Sequence, residues 1–169
     1  IERYLLDAMA RLVRTGAWVV LFGLCVLLLG RGGFLASECR RETNYFCINV
    51  NELEMDGRSV RELLLDRLVH SYSDLDDPSR LVYGYERTYA GAISPLLERK
   101  PAFDAFFIGG GGYTFPRYLE AIAPESHVVV AEIDPQVTEA AHLWLGLSRD
   151  TSIEIHNMDA RNYLAWHAA

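Results

Sequence analysis

From residue 103 onward, short apolar runs alternate with segments of helical spacing. The runs FDAFFIG, HVVVAEID and TSIEIHNMD are predicted strands, and each is followed by a predicted helix, the first being YTFPRYLEAIA with a proline in its first turn. Strands that are separated by single helices favour a parallel sheet with helices on its faces. The alternation therefore predicts an α/β fold for this half of the chain.

Four consecutive glycines, Gly109 to Gly112, directly follow the first of these strands. Ligands of parallel α/β sheets bind beyond the carboxyl ends of the strands, above all at the first strand–helix turn. Glycine allows a tight bend there and lets backbone amides approach a ligand. The spacing is not GxGxxG, so a phosphate cradle has weak support, and a purely structural turn remains open.

Acidic residues follow the next two strands. Glu132 ends the second strand, where a carboxylate can accept hydrogen bonds from both ribose hydroxyls. Asp159 ends the third strand and could accept a hydrogen bond from an exocyclic amine such as that of adenine, while Asp134 could cap the next helix. Helix capping alone is the alternative for Glu132 and Asp159. With the glycine turn, these residues predict a site for an adenosyl-type nucleoside.

Upstream, the pattern changes to β-structure. Residues 44–53 and 60–72 are predicted as two strand-rich segments, and the Asp56-Gly57 pair between them indicates a hairpin because a tight primed turn needs positive φ. Residues 85–97 have helical spacing that Pro95 interrupts or bends.

Residues 15–30 are strongly apolar and carry no charge, with arginines on both sides and Trp18 near one end. The run is short against the roughly 20 residues that cross a bilayer. It is predicted to be a membrane helix, with a buried core helix or the apolar part of a signal sequence as alternatives. Residues 1–14 could form an amphipathic surface helix or the end of a preceding span, and GRGG should end the helix.

Charge and composition exclude some classes of function and some kinds of site. A net charge of −7 argues against general nucleic-acid binding. The three cysteines, Cys25, Cys39 and Cys47, are odd in number and form no CxxC pair, which favours a reducing compartment over disulfides. The histidines lack metal-site spacing, so no metal is expected. The chain looks cut at both ends, since it starts without methionine and stops within an apparent helix or strand–helix connection.

Several of these motifs resemble the polyamine aminopropyltransferases, the spermidine synthase family. They are FFIGGGGYTFPRYLEA, VVVAEIDPQV and NMDARNYL, with ETNYFCINV and DGRSVRELLLDRLVHS upstream, so the resemblance covers residues 42–164. It implies a Rossmann-like sheet of the class I methyltransferase type, here incomplete. The preceding apolar run resembles that of bacterial proteins in which a multi-span membrane region is fused to such a domain. The implied parts are a hydrophobic helical segment (1–36), an N-terminal β-segment (42–82) and the first half of the nucleoside-binding domain (83–169).

The resemblance also implies roles for particular residues. Arg117 and Asp66 match recurring family positions, and the family's catalytic aspartate lies beyond Ala169, so no catalytic residue is assigned. The implied nucleoside-binding residues are Gly109, Gly110, Gly111, Glu132, Asp134, Asp159 and Ala160. The implied substrate-pocket residues are Tyr45, His70, Tyr85, Glu86 and Gly112.

The chain departs from the family at several positions, among them Tyr113 and Thr114, which stand in place of two more glycines after Gly112. Gly112 replaces the usual aspartate, Phe46 and His70 replace glutamines, and Gly84 replaces a tyrosine. The features that hold the donor nucleoside are therefore kept better than those that hold the amine.

The resemblance implies aminopropyl transfer from decarboxylated S-adenosylmethionine to an amine in polyamine biosynthesis, without a metal. The expected partners are the adenosyl donor, a small amine, the membrane through residues 15–30 and a second copy of the chain, with the soluble part in the cytoplasm. A methyltransferase that uses S-adenosylmethionine is one alternative, which the upstream β-hairpin disfavours. A non-catalytic nucleoside-sensing module of a membrane protein is another, and the missing amine contacts favour it.

Overall fold

The computed structural model describes residues 2–33 and 38–167. These residues form two compact units, one ending at Glu38 and the other beginning at Cys39.

In the first unit the described residues form one long helix, α1 (Glu2–Arg31), so residues 2–14 do not form an element separate from the apolar run. Its apolar side chains, such as Trp18, Phe22 and Leu27, are exposed. The helix ends at Arg31, and Gly33 in the following turn has a φ of 75°. The 21 residues of Arg11–Arg31 are long and apolar enough to cross a membrane, a property that a signal sequence shares. The predicted hydrophobic N-terminal helix is thus present.

The second unit starts with an antiparallel sheet of four strands in the order β1-β2-β3-β4. The hairpin at Asp56-Gly57 is confirmed, because these residues have φ values of 56° and 73° and join β2 to β3. The second predicted segment is wrong in one respect: it is two strands, because Asp66, with φ of 58°, starts another tight turn. The strands are β1 (Arg41–Glu42), β2 (Cys47–Met55), β3 (Arg58–Leu65) and β4 (Leu68–Asp74).

The remainder confirms the predicted parallel α/β arrangement, with three strands in the order β5-β6-β7 and parallel pairing throughout. Pro95 lies inside α2 without ending it, and Pro116 lies in the first turn of α3. The elements are α2 (Gly84–Arg99), β5 (Asp104–Ile108), α3 (Thr114–Ile122), β6 (His127–Ala131), α4 (Pro135–Trp144), β7 (Glu154–His156) and α5 (Ala160–His167).

One hydrophobic core joins the two sheets. Ile48 and Leu63 of the antiparallel sheet belong to the same buried cluster as Val130 of β6 and Leu119 of α3. At the outer end of the antiparallel sheet, the Arg40 guanidinium lies 4.4 Å from the centre of the Trp144 ring on α4. The antiparallel strands are therefore fixed against the parallel sheet, which positions the residues of β4 at its carboxyl edge.

The cysteine prediction is wrong. Cys39 and Cys47 form a disulfide with an S–S distance of 2.02 Å, and Cys25 is the free cysteine that makes the count odd. Pairing of β1 with β2 places Glu42 opposite Cys47, so the chain before β1 runs back beside Cys47. Because disulfides persist mainly in oxidising compartments, the cysteines no longer support a cytoplasmic location.

Candidate functional site

The glycine run forms the turn between β5 and α3. Gly109 and Gly111 have φ values of 87° and 52°, a region where a side chain is strained. The Gly109 amide donates to the Ala131 carbonyl at 2.8 Å, which continues the parallel ladder into the turn. The turn therefore stands at the carboxyl edge of the sheet, as the sequence predicts.

Two cavities lie on either side of this turn and share Ile108 and Gly109 in their walls. The first, which we call the Glu132 cavity, has a volume of about 390 Å³ and is also lined by Ala131, Glu132, Ile133, Asp159, Ala160, Arg161 and Leu164. The second, the Glu86 cavity, has a volume of about 300 Å³ and is lined by His70, Ser71, Tyr85, Glu86, Tyr89, Phe107, Gly110, Gly111, Gly112, Thr114, Phe115 and Pro116.

The Glu132 carboxylate connects the end of β6 to the glycine turn. One of its oxygens accepts the Gly110 amide at 2.8 Å and the Gly111 amide at 3.4 Å, and the other accepts the Asp134 amide at 2.9 Å. Glu132 is 5% exposed. A carboxylate has about four lone-pair sites, so the three amides leave about one site for a further donor in the cavity that Glu132 lines.

Asp159 faces the same cavity and also begins α5. Its carboxylate accepts the Arg161 amide at 2.8 Å and pairs with the Arg161 guanidinium. Hydrogen bonding to Arg161 lowers the pKa of Asp159 to about 2, so the group is an anion at neutral pH. Asp159 thus caps a helix and offers a charged acceptor to the cavity, and Ala160 beside it leaves the wall open.

Asp134 lines neither of the two cavities, and the nucleoside contact that the resemblance implies for it stays a prediction. One carboxylate oxygen accepts the Gln136 amide at 2.9 Å and so caps α4, and the other accepts the Thr43 hydroxyl at 2.6 Å. Asp134 is 1% exposed. Its position is that of a helix cap which also ties the chain before β2 to the parallel sheet.

A buried carboxyl group defines the second cavity. Glu86 is 1% exposed, and burial raises the pKa of its carboxyl group from 4.5 to about 7. One oxygen lies 3.4 Å from the Tyr85 hydroxyl, whereas Oε2 has no hydrogen-bond partner among the described residues. Burial also raises the pKa of Tyr85, so this hydroxyl stays protonated. A perturbed acid with a free oxygen in a cleft is typical of a functional group.

A row of four aromatic rings lies beside Glu86, and Tyr85, Tyr89 and Phe115 of this row line the cavity. Tyr83, Tyr85, Tyr89 and Phe115 follow one another in edge-to-face contacts, with successive centroid distances of 4.8, 5.4 and 5.9 Å. Such rings present negative faces that attract cations. The Glu86 cavity can therefore accommodate an ammonium group beside an apolar chain.

The other residues that match the family lie partly in the Glu86 cavity and partly outside both cavities. His70 and Gly112 line the Glu86 cavity, as do Tyr85 and Glu86, whereas Tyr45 is half exposed and lines neither cavity. Arg117 is buried behind the site, where its guanidinium donates to the Leu145 carbonyl at 2.8 Å. Asp66 accepts the Cys47 amide at 2.9 Å in the β3–β4 turn.

Comparison with known proteins identifies the family. A polyamine aminopropyltransferase of Chromobacterium violaceum is 31% identical over 115 residues, which are 67% of this chain and 42% of that protein. Another of the same name, from Vibrio vulnificus, is 35% identical over 95 residues, or 55% of this chain and 30% of that protein. The chain belongs to a spermidine synthase-like family. No protein-family model matches it.

A solved structure supports the fold of this spermidine synthase-like chain. A probable spermidine synthase from Corynebacterium glutamicum superimposes with a TM-score of 0.65 at 21% identity, covering 73% of this chain and 45% of that one. The chain spans less than half the length of the curated relatives described above. The Rossmann-like fold is therefore shown for the part of the family that this chain covers.

Ser71 and Phe115 are among the cavity residues that sequence analysis of the spermidine synthase-like chain missed. Ser71 is 2% exposed and lines the Glu86 cavity from β4. The signal that could have found it is the alternation along β4, where Ser71 and Ser73 occupy the face that is buried. Two serines on the inner face of a strand indicate a polar environment that a plain core does not need.

Proposed function

We propose that this chain binds an adenosyl donor in the Glu132 cavity and an amine in the Glu86 cavity, and that it forms part of an aminopropyltransferase. The observation that supports this most strongly is the shared wall: Ile108 and Gly109 line both cavities, so two reactants could meet over the glycine turn. Alignment of two bound reactants is a large part of catalysis in a displacement of this kind.

On the donor side, the residues suit a nucleoside. Glu132 would accept a ribose hydroxyl, and Asp159 would accept a hydrogen bond from the exocyclic amine of adenine. The apolar wall, which includes Ile133 and Leu164, suits the flat face of a base. Decarboxylated S-adenosylmethionine is the donor that the names of the relatives favour, because aminopropyl transfer is the reaction those names describe.

The reaction is a displacement at the carbon next to a sulfonium. The lone pair of a neutral amine forms the new nitrogen–carbon bond, the carbon–sulfur bond breaks, and its electron pair stays on sulfur, giving neutral methylthioadenosine. The new ammonium loses one proton to a base or to water. Glu86 would attract the cationic acceptor into the cavity, and the neighbouring rings would hold its chain.

The hydrophobic helix suggests where in the cell the protein would be located. Arg11–Arg31 would anchor the protein in a membrane, with the domain from Cys39 onward outside the bilayer.

A nucleoside-sensing role is the second candidate. Gly112 brings no side chain to the Glu86 cavity, so the chain could bind a nucleoside without holding the amine that a transfer needs. A methyltransferase on the same sheet is the third, and it differs in using S-adenosylmethionine itself.

Calorimetry of the full-length protein separates these candidates. The ligands are decarboxylated S-adenosylmethionine, S-adenosylmethionine and methylthioadenosine, followed by a search for aminopropylated product. Tighter binding of the decarboxylated donor with product formation supports the proposal. Tighter binding of S-adenosylmethionine supports a methyltransferase, and binding without product supports sensing.

A further inference from the structure

Two buried polar atoms in the Glu86 cavity have no hydrogen-bond partner among the described residues: Ser71 Oγ and Glu86 Oε2. The residues are 2% and 1% exposed. Folded proteins pair nearly all buried polar atoms, because a buried group without a partner loses its hydration uncompensated. Two unpaired atoms in one cavity indicate that a ligand supplies the missing hydrogen bonds.

Gly112 is required by Ser71 rather than by its own backbone. Unlike Gly109 and Gly111, it does not have positive φ. A Cβ at residue 112 would lie 1.9 Å from Ser71 Oγ and 2.9 Å from Ser71 Cβ, which no side chain can tolerate. The Ser71 hydroxyl therefore occupies the space into which a side chain at residue 112 would project.

The rest of the cavity wall fixes the kind of ligand. Among its described residues Glu86 is the one carboxyl group, and the aromatic wall includes Tyr89 and Phe115. An ammonium group has three N–H donors, which match a carboxylate oxygen and a hydroxyl oxygen. A second ammonium group on the same ligand would lie among rings and glycines, without a carboxylate from the described wall.

We propose that Ser71 and Glu86 together bind one ammonium group, and that the acceptor is a monoamine whose apolar chain lies against Tyr89 and Phe115. This inference rests on the proposed function for its view that the ligand is the acceptor. It adds Ser71 as a specificity-determining residue and Gly112 as the residue that makes room for it.

The test is calorimetry on the full-length protein with n-butylamine and 1,4-diaminobutane, in the presence and absence of methylthioadenosine. The two amines have the same carbon chain and differ in one ammonium group. We expect n-butylamine to bind at least as tightly as the diamine. We expect Ser71→Ala to weaken n-butylamine about tenfold, since a hydrogen bond to a charged group is lost.

Ser73→Ala is the matched control. Ser73 lies on the same face of β4 and is fully buried, but its hydroxyl pairs with that of Thr114 at 3.0 Å and lines neither cavity. It should lose stability and keep the amine affinity. Ser71→Ala should do the opposite, because it removes a hydroxyl that has no partner in the fold.

A double variant tests the steric part. Ser71→Gly with Gly112→Asp adds a carboxylate where the hydroxyl was, and should move the preference toward 1,4-diaminobutane about tenfold relative to the parent protein. Tighter binding of the diamine by the unaltered protein overturns the inference, as do unchanged n-butylamine affinity in Ser71→Ala and an absence of amine binding. Amine binding that depends on Ser71, without any nucleoside binding, supports the ammonium site at Ser71 and Glu86 and defeats the proposed function.

Discussion

The Glu132 carboxylate accepts a hydrogen bond from the Gly110 amide at 2.8 Å, so the residue that follows β6 closes the glycine turn that follows β5. Glu132 also accepts a hydrogen bond from the amide of Asp134, the residue that caps α4. This one residue therefore links the glycine turn, the Glu132 cavity and the start of α4. The relationship gives Glu132 a structural role in addition to the nucleoside contact that we propose.

Glu132→Gln should therefore affect both folding and binding. An amide group has one acceptor oxygen instead of two, so at least one of the three backbone amides loses its partner. We expect the free energy of unfolding to fall by about 1–3 kcal/mol, and nucleoside affinity to fall at least tenfold. Denaturant unfolding and calorimetry measure the two effects. Glu139→Gln, at an exposed pair with Arg149, is the control and should change neither by much. Retained nucleoside affinity would leave Glu132 with the structural role alone.

Asp159 can be divided into its two roles by choice of substitution. Serine is a good N-cap, so Asp159→Ser should keep α5 stable, whereas Asp159→Ala should cost about 1 kcal/mol of stability. Both changes remove the carboxylate from the Glu132 cavity, so both should weaken adenosyl binding about equally. Thermal unfolding and nucleoside titration of the pair make the measurement. If only the alanine variant loses affinity, Asp159 acts through the helix and not through the base.

The raised pKa of Glu86 predicts a pH dependence of stability. Between pH 4.5 and about 7 the unfolded chain releases this proton while the folded chain keeps it. The unfolded state therefore binds fewer protons, and stability falls as pH rises through this window, by about 3 kcal/mol. Below pH 4.5 and above pH 7 the contribution of Glu86 is constant. Chemical unfolding from pH 4 to 8 should show this fall in the parent protein and a smaller one in Glu86→Gln. Equal pH profiles would show that Glu86 is not buried as described.

The Cys39–Cys47 bond predicts sensitivity to reductant. A closed loop with a separation of 8 residues stabilises the folded chain by about 2–3 kcal/mol through the entropy of the unfolded state. Reductant should lower the melting temperature of the parent protein and of Cys25→Ser, but not that of Cys47→Ser. In intact cells we expect maleimide to label one of these three cysteines, Cys25, because Cys39 and Cys47 are bonded to each other. After reduction all three should be labelled. Three reactive thiols before reduction would place this domain in a reducing compartment.

The sequence predicts the parallel sheet well because its signals are local. Each strand of this sheet is a short apolar run, and the turn that follows β5 is marked by glycines such as Gly109. The β3–β4 turn escaped prediction because Asp66 is followed by arginine rather than glycine, inside a run that stays apolar on both sides. No local pattern marks this turn as it marks Asp56-Gly57.

The site was predictable in part for the same reason. Glu132 and Asp159 lie where strand ends put them, so the sequence indicates their place. The place of Ser71 depends on a contact between β4 and the glycine turn, which joins residues far apart in the sequence. The Cys39–Cys47 bond depends on the pairing of β1 with β2, and no sequence motif marks these two cysteines as partners. The cap that the sequence suggests for Asp134 is present, because its carboxylate accepts the Gln136 amide, and the nucleoside contact that the resemblance implies for it stays a prediction.

A crystal structure of the full-length protein with methylthioadenosine tests the central claim most directly. We predict a ribose hydroxyl within hydrogen-bond distance of the Glu132 carboxylate, the adenine amine at Asp159, and the sulfur at the wall shared with the Glu86 cavity. A nucleoside bound elsewhere, or one in this cavity that touches neither carboxylate, would contradict the account.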